Sequence, residues 1–359
     1  MNLHLSSLLF AASIIFSGPL YAQTGEITVA AVSTMANWNA VAPLSNNTLF
    51  AAAPRWTGSK GPQLTYIDEQ GKQHAWPDKL WNSWSPGESV ENRFVNINAI
   101  RLIGPELWVV DTGAPDFGGT PLPGGAKLVV IDVNTQKVIK TYIFNSSIAG
   151  KNSYIDDLRI NGKNAYLTDA GWAGLIVLNL ETGESRRVLS NSTSTRASNK
   201  AIRVGGNVVL APDGSMLKVN ADPLELSPDR QWLYYGPLNG PLYRIPTYAL
   251  DDKNLDNAAL EKLVQRWFDM PPSGGTAMAK DGTLYYSDLA ENALKRRLPD
   301  GRTETVIKDP NLHWVDAPVI DENNVIWLPV PQIDRVSLFN NGENLTKWPV
   351  QILKIDLEK

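Results

Sequence analysis

The chain has 359 residues, 43% of them hydrophobic and 19% charged, with a net charge of −4 and no cysteine. Such a chain is long enough to be held by its core alone. Its mild acidic excess offers nothing to nucleic acid or an anionic membrane, and it has neither thiol nucleophiles nor thiolate metal sites. With 12 Trp, 24 Pro and 27 Gly, it favours short strands joined by turns and loops over helices.

Residues 3–18 are apolar apart from His4 and a few serines, and Leu20-Tyr21-Ala22 ends in a small residue. This is the pattern of a secretory signal cleaved near Ala22 and Gln23. No Lys or Arg precedes the apolar run, so a short N-terminal membrane anchor is the competing reading. The expectation is a signal peptide over 1–22, a secreted or periplasmic location, and one domain over 23–359. Only His74 and His313 then remain, too few for a histidine-rich metal centre.

The next stretch, 26–32 (EITVAAV), alternates as a strand does. From there one unit repeats, best formed over 153–189, where four short strands are separated by Asn161-Gly162, Asp169-Ala170-Gly171 and Glu181-Thr182-Gly183. Second strands of the same kind begin at Leu49, Trp108, Tyr166, Leu233, Leu284 and Ile326, a spacing of about 55 that suits propeller blades. Third strands recur at 64–68, 128–132, 175–179, 242–245 and 352–356. The fold expected is all-β, a six-bladed β-propeller whose last blade is closed by the mature N-terminal strand, 26–32 pairing with 351–357.

Four stretches break the rhythm. Apolar residues at helical spacing predict a short amphipathic helix over 251–268, between the fourth and fifth blades. The Gly/Pro-rich loop 113–125 and the insertion 331–349 are expected over one mouth of the ring. The polar connector 190–199 is expected to be mobile.

In such a ring the innermost strand of each blade lines the channel, so polar residues entering first strands are the candidates. They are Asn96, Asn98, Asp156, Asp157, Asp222, Ser273 and Asp316; the loops after second strands add Asp111, Asp169, Trp172, Tyr235 and Asp288, with Trp38 and Trp314 as aromatic walls. Asp156 and Asp157 are adjacent, which on a regular strand points them to opposite faces. Asp157, Asp222 and Asp316 could converge from three blades, raising one another's pKa or holding a hard cation such as Ca²⁺. The competing use is capping of backbone N–H groups where blades begin. Asp111 and Asp169 recur before a Gly corner, which argues for a turn role. His313 is a candidate general base, against an ordinary hydrogen-bonded histidine. No Gly-x-Ser-x-Gly, phosphate loop or HExxH is present.

The stretches 107–113 (LWVVDTG), 154–158 (YIDDL), 165–170 (AYLTDA), 226–238 (LSPDRQWLYYGPL), 242–250 (LYRIPTYAL) and 282–288 (GTLYYSD) resemble, in order and spacing, the Yellow/major royal jelly protein family. The resemblance spans nearly the whole mature chain and implies a secreted propeller; some members convert dopachrome and others bind small amines. Animal members usually carry cysteine pairs, so this chain resembles a bacterial-type member. A more distant resemblance is to regucalcin/gluconolactonase propellers, which hold a metal on Glu, Asn and Asp of three blades. Here Val41-Ala42-Pro43 stands in place of the Glu, Asp222 in place of the Asn and Gly274 in place of the Asp.

The reading is an exported propeller that binds a small organic molecule, amine-bearing or aromatic, at the channel mouth, as a monomer without nucleic acid or membrane partners. The alternative is an enzyme of the same architecture, a lactone hydrolase or a dopachrome-type isomerase. The ligand-binding candidates are Asn98, Asp156, Asp157, Trp172, Asp222, Tyr235, Trp314 and Asp316. The catalytic ones are Asp157, Asp222 and His313. The metal candidates are Asp157, Asp222 and Asp316, with a divalent cation such as Ca²⁺ the only cofactor considered.

Overall fold

Short apolar runs ended by Gly and Asn turns make sheets that cannot bury both faces alone, so they stack on one another. In the computed structural model, which describes residues 25–45 and 47–357, they form six four-stranded antiparallel sheets. The inner strands, in chain order, are Ala40–Pro43, Ile97–Ile103, Ile155–Asn161, Ala221–Leu226, Thr276–Met278 and Val319–Ile320; each touches the next, and the first meets Val325–Val330 of the last blade. The molecule is a six-bladed β-propeller. The expected signal segment over 1–22 lies outside the described residues.

Closure comes from the two ends of the chain. Thr28–Ser33 pairs antiparallel with Val350–Asp356 and supplies the outer strand of the sixth blade. The core is divided accordingly, with one buried cluster at each blade interface. Trp38, Val41, Leu49, Trp327 and Ile352 fill the one between the last blade and the first.

Two expectations fail. Residues 251–268 are not one helix between blades: Thr247–Asp251 and Asn257–Glu261 are separate short helices inside the fourth blade, and Gln265–Phe268 is its outer strand. A blade without its fourth strand would leave Leu242–Pro246 as a bare edge, and that demand outweighs the helical spacing. The connector 190–199 is not a loose tether either. Ser192, Ser194 and Thr195 are buried, with Ser194 Oγ 2.9 Å from Tyr235 Oη and Thr195 Oγ1 donating to the Leu189 carbonyl at 2.8 Å.

The recurring corner aspartates are scaffold. Asp169 accepts from the N–H groups of Tyr154 (2.8 Å) and Trp172 (2.9 Å) and pairs with Arg187 at 2.8 Å, all in a buried setting. Asp111 does the same with Val95, Asn96 and Lys127. Removing one partner of such a pair leaves the other charge buried, so Asp169→Ala should lose about 3–5 kcal/mol of stability in a urea titration. A loss below about 1 kcal/mol would mean that the corner is not held by this carboxylate.

Candidate functional site

Strand alternation would turn only every second residue of an inner strand toward the channel. Three consecutive blades escape this rule by a β-bulge at the same place: the register shifts between Ile97 and Ala99, between Ile155 and Leu158, and between Ala221 and Leu224. A bulge re-aims side chains locally. Asn98, Asp156 and Asp222 all lie within these bulges and line the channel, joined by Asn39 and Asp316 from the starts of the first and sixth blades. The fifth blade contributes Gly274. A Cβ there would sit 2.3 Å from the Val315 carbonyl oxygen, so backbone of the loop before the last blade fills that seat.

Apart from the protons on its carboxyls, the ring offers hydrogen-bond acceptors and hardly a free donor. Asn98 Nδ2 is used by the Asp156 carbonyl (3.3 Å) and Asn39 Nδ2 by the Asn98 carbonyl (2.8 Å). Asn39 Oδ1 is buried without a partner. Asp316 accepts one bond, from the Ala317 N–H at 3.0 Å. Among the described residues no cation pairs with Asp156, Asp222 or Asp316, although Arg101 lies within electrostatic reach.

Water can touch these three carboxyls from the channel, but protein surrounds them on every side. Burial therefore pushes the Asp156 carboxyl well above the usual range, and the Asp316 and Asp157 charges add to it. The Asp222 carboxyl is raised well above that range for the same reason, with Asp156 and Asp316 as neighbours. Burial, then the Asp157 charge, holds Asp316 up to about 8.

Asp157 behaves differently. Both members of the Asp156-Asp157 pair line the lower cavity, contrary to the alternation expected, because the bulge cancels it. Burial alone would raise the Asp157 pKa, but Arg101 and Arg159 outweigh it and hold this carboxyl below its ordinary value. Arg101 Nε is 3.1 Å and Arg159 Nη1 2.8 Å from its oxygens, and Arg159 continues to Glu225 at 2.7 Å. Asp157 is thus a link in an ionic belt under the ring, which leaves it unsuited to a ligand or a metal.

Above the ring lies a roof. Trp56, Phe117 and Phe339 come from three different mouth loops, with Trp56–Phe117 centroids 4.9 Å apart and Trp56–Phe339 6.1 Å apart. Beneath them the Tyr154 hydroxyl accepts from Trp56 Nε1 (2.8 Å) and donates to Asn98 Oδ1 (2.9 Å). Trp314 is buried here with a left-handed backbone (φ 58°), a rare state for so large a residue. Leu217 and Val219 complete the roof from the segment that carries the small hairpin Arg203–Val204/Asn207–Val208. Roof and ring enclose a cavity of about 50 Å³.

Of the residues singled out from sequence, Asn98, Asp156, Asp222, Trp314 and Asp316 meet at this cavity. The others lie elsewhere. Trp172 stacks under Arg187 at 3.9 Å; Tyr235 is in the core between the third and fourth blades; Trp38 is in the core between the sixth and first. Asn96 caps Arg55 N–H at 2.8 Å, and Ser273 bonds the Gly275 carbonyl. His313 sits in a separate cleft with Asp334. Asn39, Trp56, Phe117, Tyr154 and Phe339 are additions. Asn39 could have been found by its place just before the first inner strand, and Phe117 as the one aromatic in its Gly/Pro loop.

Residues 105–359, most of the chain, match the family model described as Major royal jelly protein. The chain belongs to the major royal jelly protein family. No curated protein matches it. Among solved structures, a gluconolactonase from Xanthomonas campestris is similar at 12% identity over 95% of this chain and 93% of its own, with a TM-score of 0.55. A Bacteroides thetaiotaomicron protein of unknown function is similar at 12% identity over 92% of this chain and 72% of that one, TM-score 0.57. A virginiamycin B lyase from Staphylococcus aureus is similar at 10% identity over 92% and 99%, TM-score 0.51. At these identities the likeness concerns the fold.

The sequence offered Asp157, Asp222 and Asp316 as metal candidates. Among the described residues no three His, Asp or Glu side chains are gathered closely enough to hold one. Asp157 is taken by two arginines, and Gly274 has no side chain to offer. The expected metal trio Asp157, Asp222 and Asp316 is therefore not available as a set.

The raised carboxyls carry a sign. The folded protein keeps protons that the unfolded chain has already released at the ordinary carboxylate pKa, so stability falls as pH rises through that value and on through about 8. Asp222→Asn removes one of the three charges. It should raise the melting temperature at pH 9 and change it little at pH 4. Thermal melts at both pH values read this directly, and a pH-independent difference would contradict it.

Proposed function

We propose that this propeller is an exported binding protein for a small organic cation, an ammonium group carried on an aromatic or apolar body. The observation that carries this reading is a ring of side-chain oxygens without a cationic partner: three carboxyls, each an acceptor once its proton has left, and the orphaned Asn39 Oδ1. An ammonium brings three donors and the missing charge. The aromatic side chains of Trp56, Phe117 and Tyr154 favour a cation through their faces and an apolar body through their area. The cavity of about 50 Å³ suits the head group, and the body must displace roof side chains to enter. Family members that bind small amines are consistent with this reading.

Binding of the cation must expel protons from carboxyls that hold them above their ordinary range, so affinity should rise with pH through about 8, where Asp316 ionises. Calorimetry with tyramine and with 4-hydroxyphenylpropionate, the same ring bearing a carboxylate, provides the test. Tyramine should bind, its anionic counterpart should not, and Asp156→Asn should weaken binding at least about tenfold. Equal binding of the two, or indifference to Asp156→Asn, would sink the proposal.

One observation favours a second reading, an isomerase of the dopachrome type. A carboxyl held up to about 8, as Asp316 is, can both give and take a proton near neutral pH. Turnover of dopachrome that is lost in Asp316→Asn would establish this reading over simple binding.

A further inference from the structure

The insertion between Val325–Val330 and Val350–Asp356 does more than roof the channel. While its Ile333 and Phe339 face the mouth cavity, its Arg335, Lys347 and Trp348 line a separate cleft of about 290 Å³ against the loop that carries His313. We infer that this cleft is a second binding site, for a small organic anion in which a carboxylate is attached to a ring.

The cleft is built around one buried amide. Gln332 adopts a left-handed backbone (φ 56°) and is 6% exposed. Its Oε1 accepts from Arg335 Nη1 at 2.5 Å and from the Lys347 N–H at 3.0 Å, while its Nε2 donates to the Lys347 carbonyl at 2.8 Å. A single side chain thereby fixes the guanidinium and the backbone of the lysine beside each other. His313 steadies the guanidinium from the other side, with Nδ1 3.4 Å from Arg335 Nη2 and Nε2 2.8 Å from Asp334 Oδ2. Both ring nitrogens of His313 are thereby engaged, so it acts here as a positioning residue.

The charges are uncompensated. Arg335 and Lys347 make no ion pair among the described residues, and no acidic side chain lines the cleft, on a protein whose net charge is −4. The nearest carboxylate, Asp334, is engaged by His313. A guanidinium with uncommitted donors, in a cleft that a lysine also lines, is suited to a carboxylate, which the fork can bind in bidentate fashion. Trp348, 40% exposed, stands between Lys347 and Pro349 and provides a flat apolar shelf beside the charges. Charge alone would call for phosphate; charge with a shelf calls for a ring.

Both an aryl carboxylate and a sugar acid have this chemistry, so the test uses benzoate, glucuronate and inorganic phosphate with the full chain, followed by calorimetry. Saturable binding of benzoate or glucuronate is expected, tighter than that of phosphate, and the tighter of the two names the source. Lys347→Ala and Trp348→Ala, both at exposed positions, should each weaken it about tenfold without changing the melting temperature or tyramine binding at the channel. Arg335→Lys, which keeps the charge and loses the fork, should also weaken it. The inference is overturned if none of the three anions binds saturably, or if phosphate binds as well as the rings and Trp348→Ala has no effect.

Discussion

The ring depends on one pairing, that of Thr28–Ser33 with Val350–Asp356. Each blade buries its two faces only against its neighbours, and six interfaces exist only when the first and last blades meet. Without it, the sixth blade would end in an open edge and the cluster around Trp38 and Trp327 would lose one wall. Closure also fixes the channel: Asn39 and Asp316 belong to the first and last blades, and only the closed ring brings them to one cavity.

Within that closed frame the channel holds two electrostatic layers of opposite logic. The lower belt, Arg101–Asp157–Arg159–Glu225, is charge-balanced and bonded across three blades, as a buried network must be. The upper ring is unbalanced, with carboxyls that neighbouring positive charge does not neutralise and that keep their protons instead. Binding sites commonly carry groups that would be quieter elsewhere. The aromatic roof lowers the local dielectric further and joins the two properties, apolar above and acidic below, in one small space.

Much of the architecture was legible in the sequence because it is periodic. The second strands from Leu49 to Ile326 and the alternating stretch 26–32 carried blade number and closure. Local, non-periodic features were not legible. The bulges that turn Asn98, Asp156 and Asp222 into the channel depend on pairing across two strands, which a rule of strict alternation misses. Strand demand over 265–268 overrode a helical spacing. Tyr235 and Trp172 look exposed by position in a blade, but a connector and an arginine cover them. The roof comes from loops that share no repeat, so only the folded chain unites Trp56, Phe117 and Phe339.

The fifth seat of the ring has a geometric consequence of its own. Gly274 and the Val315 backbone occupy it, while amides occupy the first and second seats and acids the third, fourth and sixth. A propeller with six equal ligands would place its field on the symmetry axis. Here the acids, and the negative potential they develop as they ionise, are displaced sideways, away from Asn39 and Asn98, so the pseudo-sixfold scaffold presents a lopsided pole. A guest drawn to that pole has one preferred azimuth in the channel, and the roof loop that it meets first is decided by the missing side chain opposite the second blade.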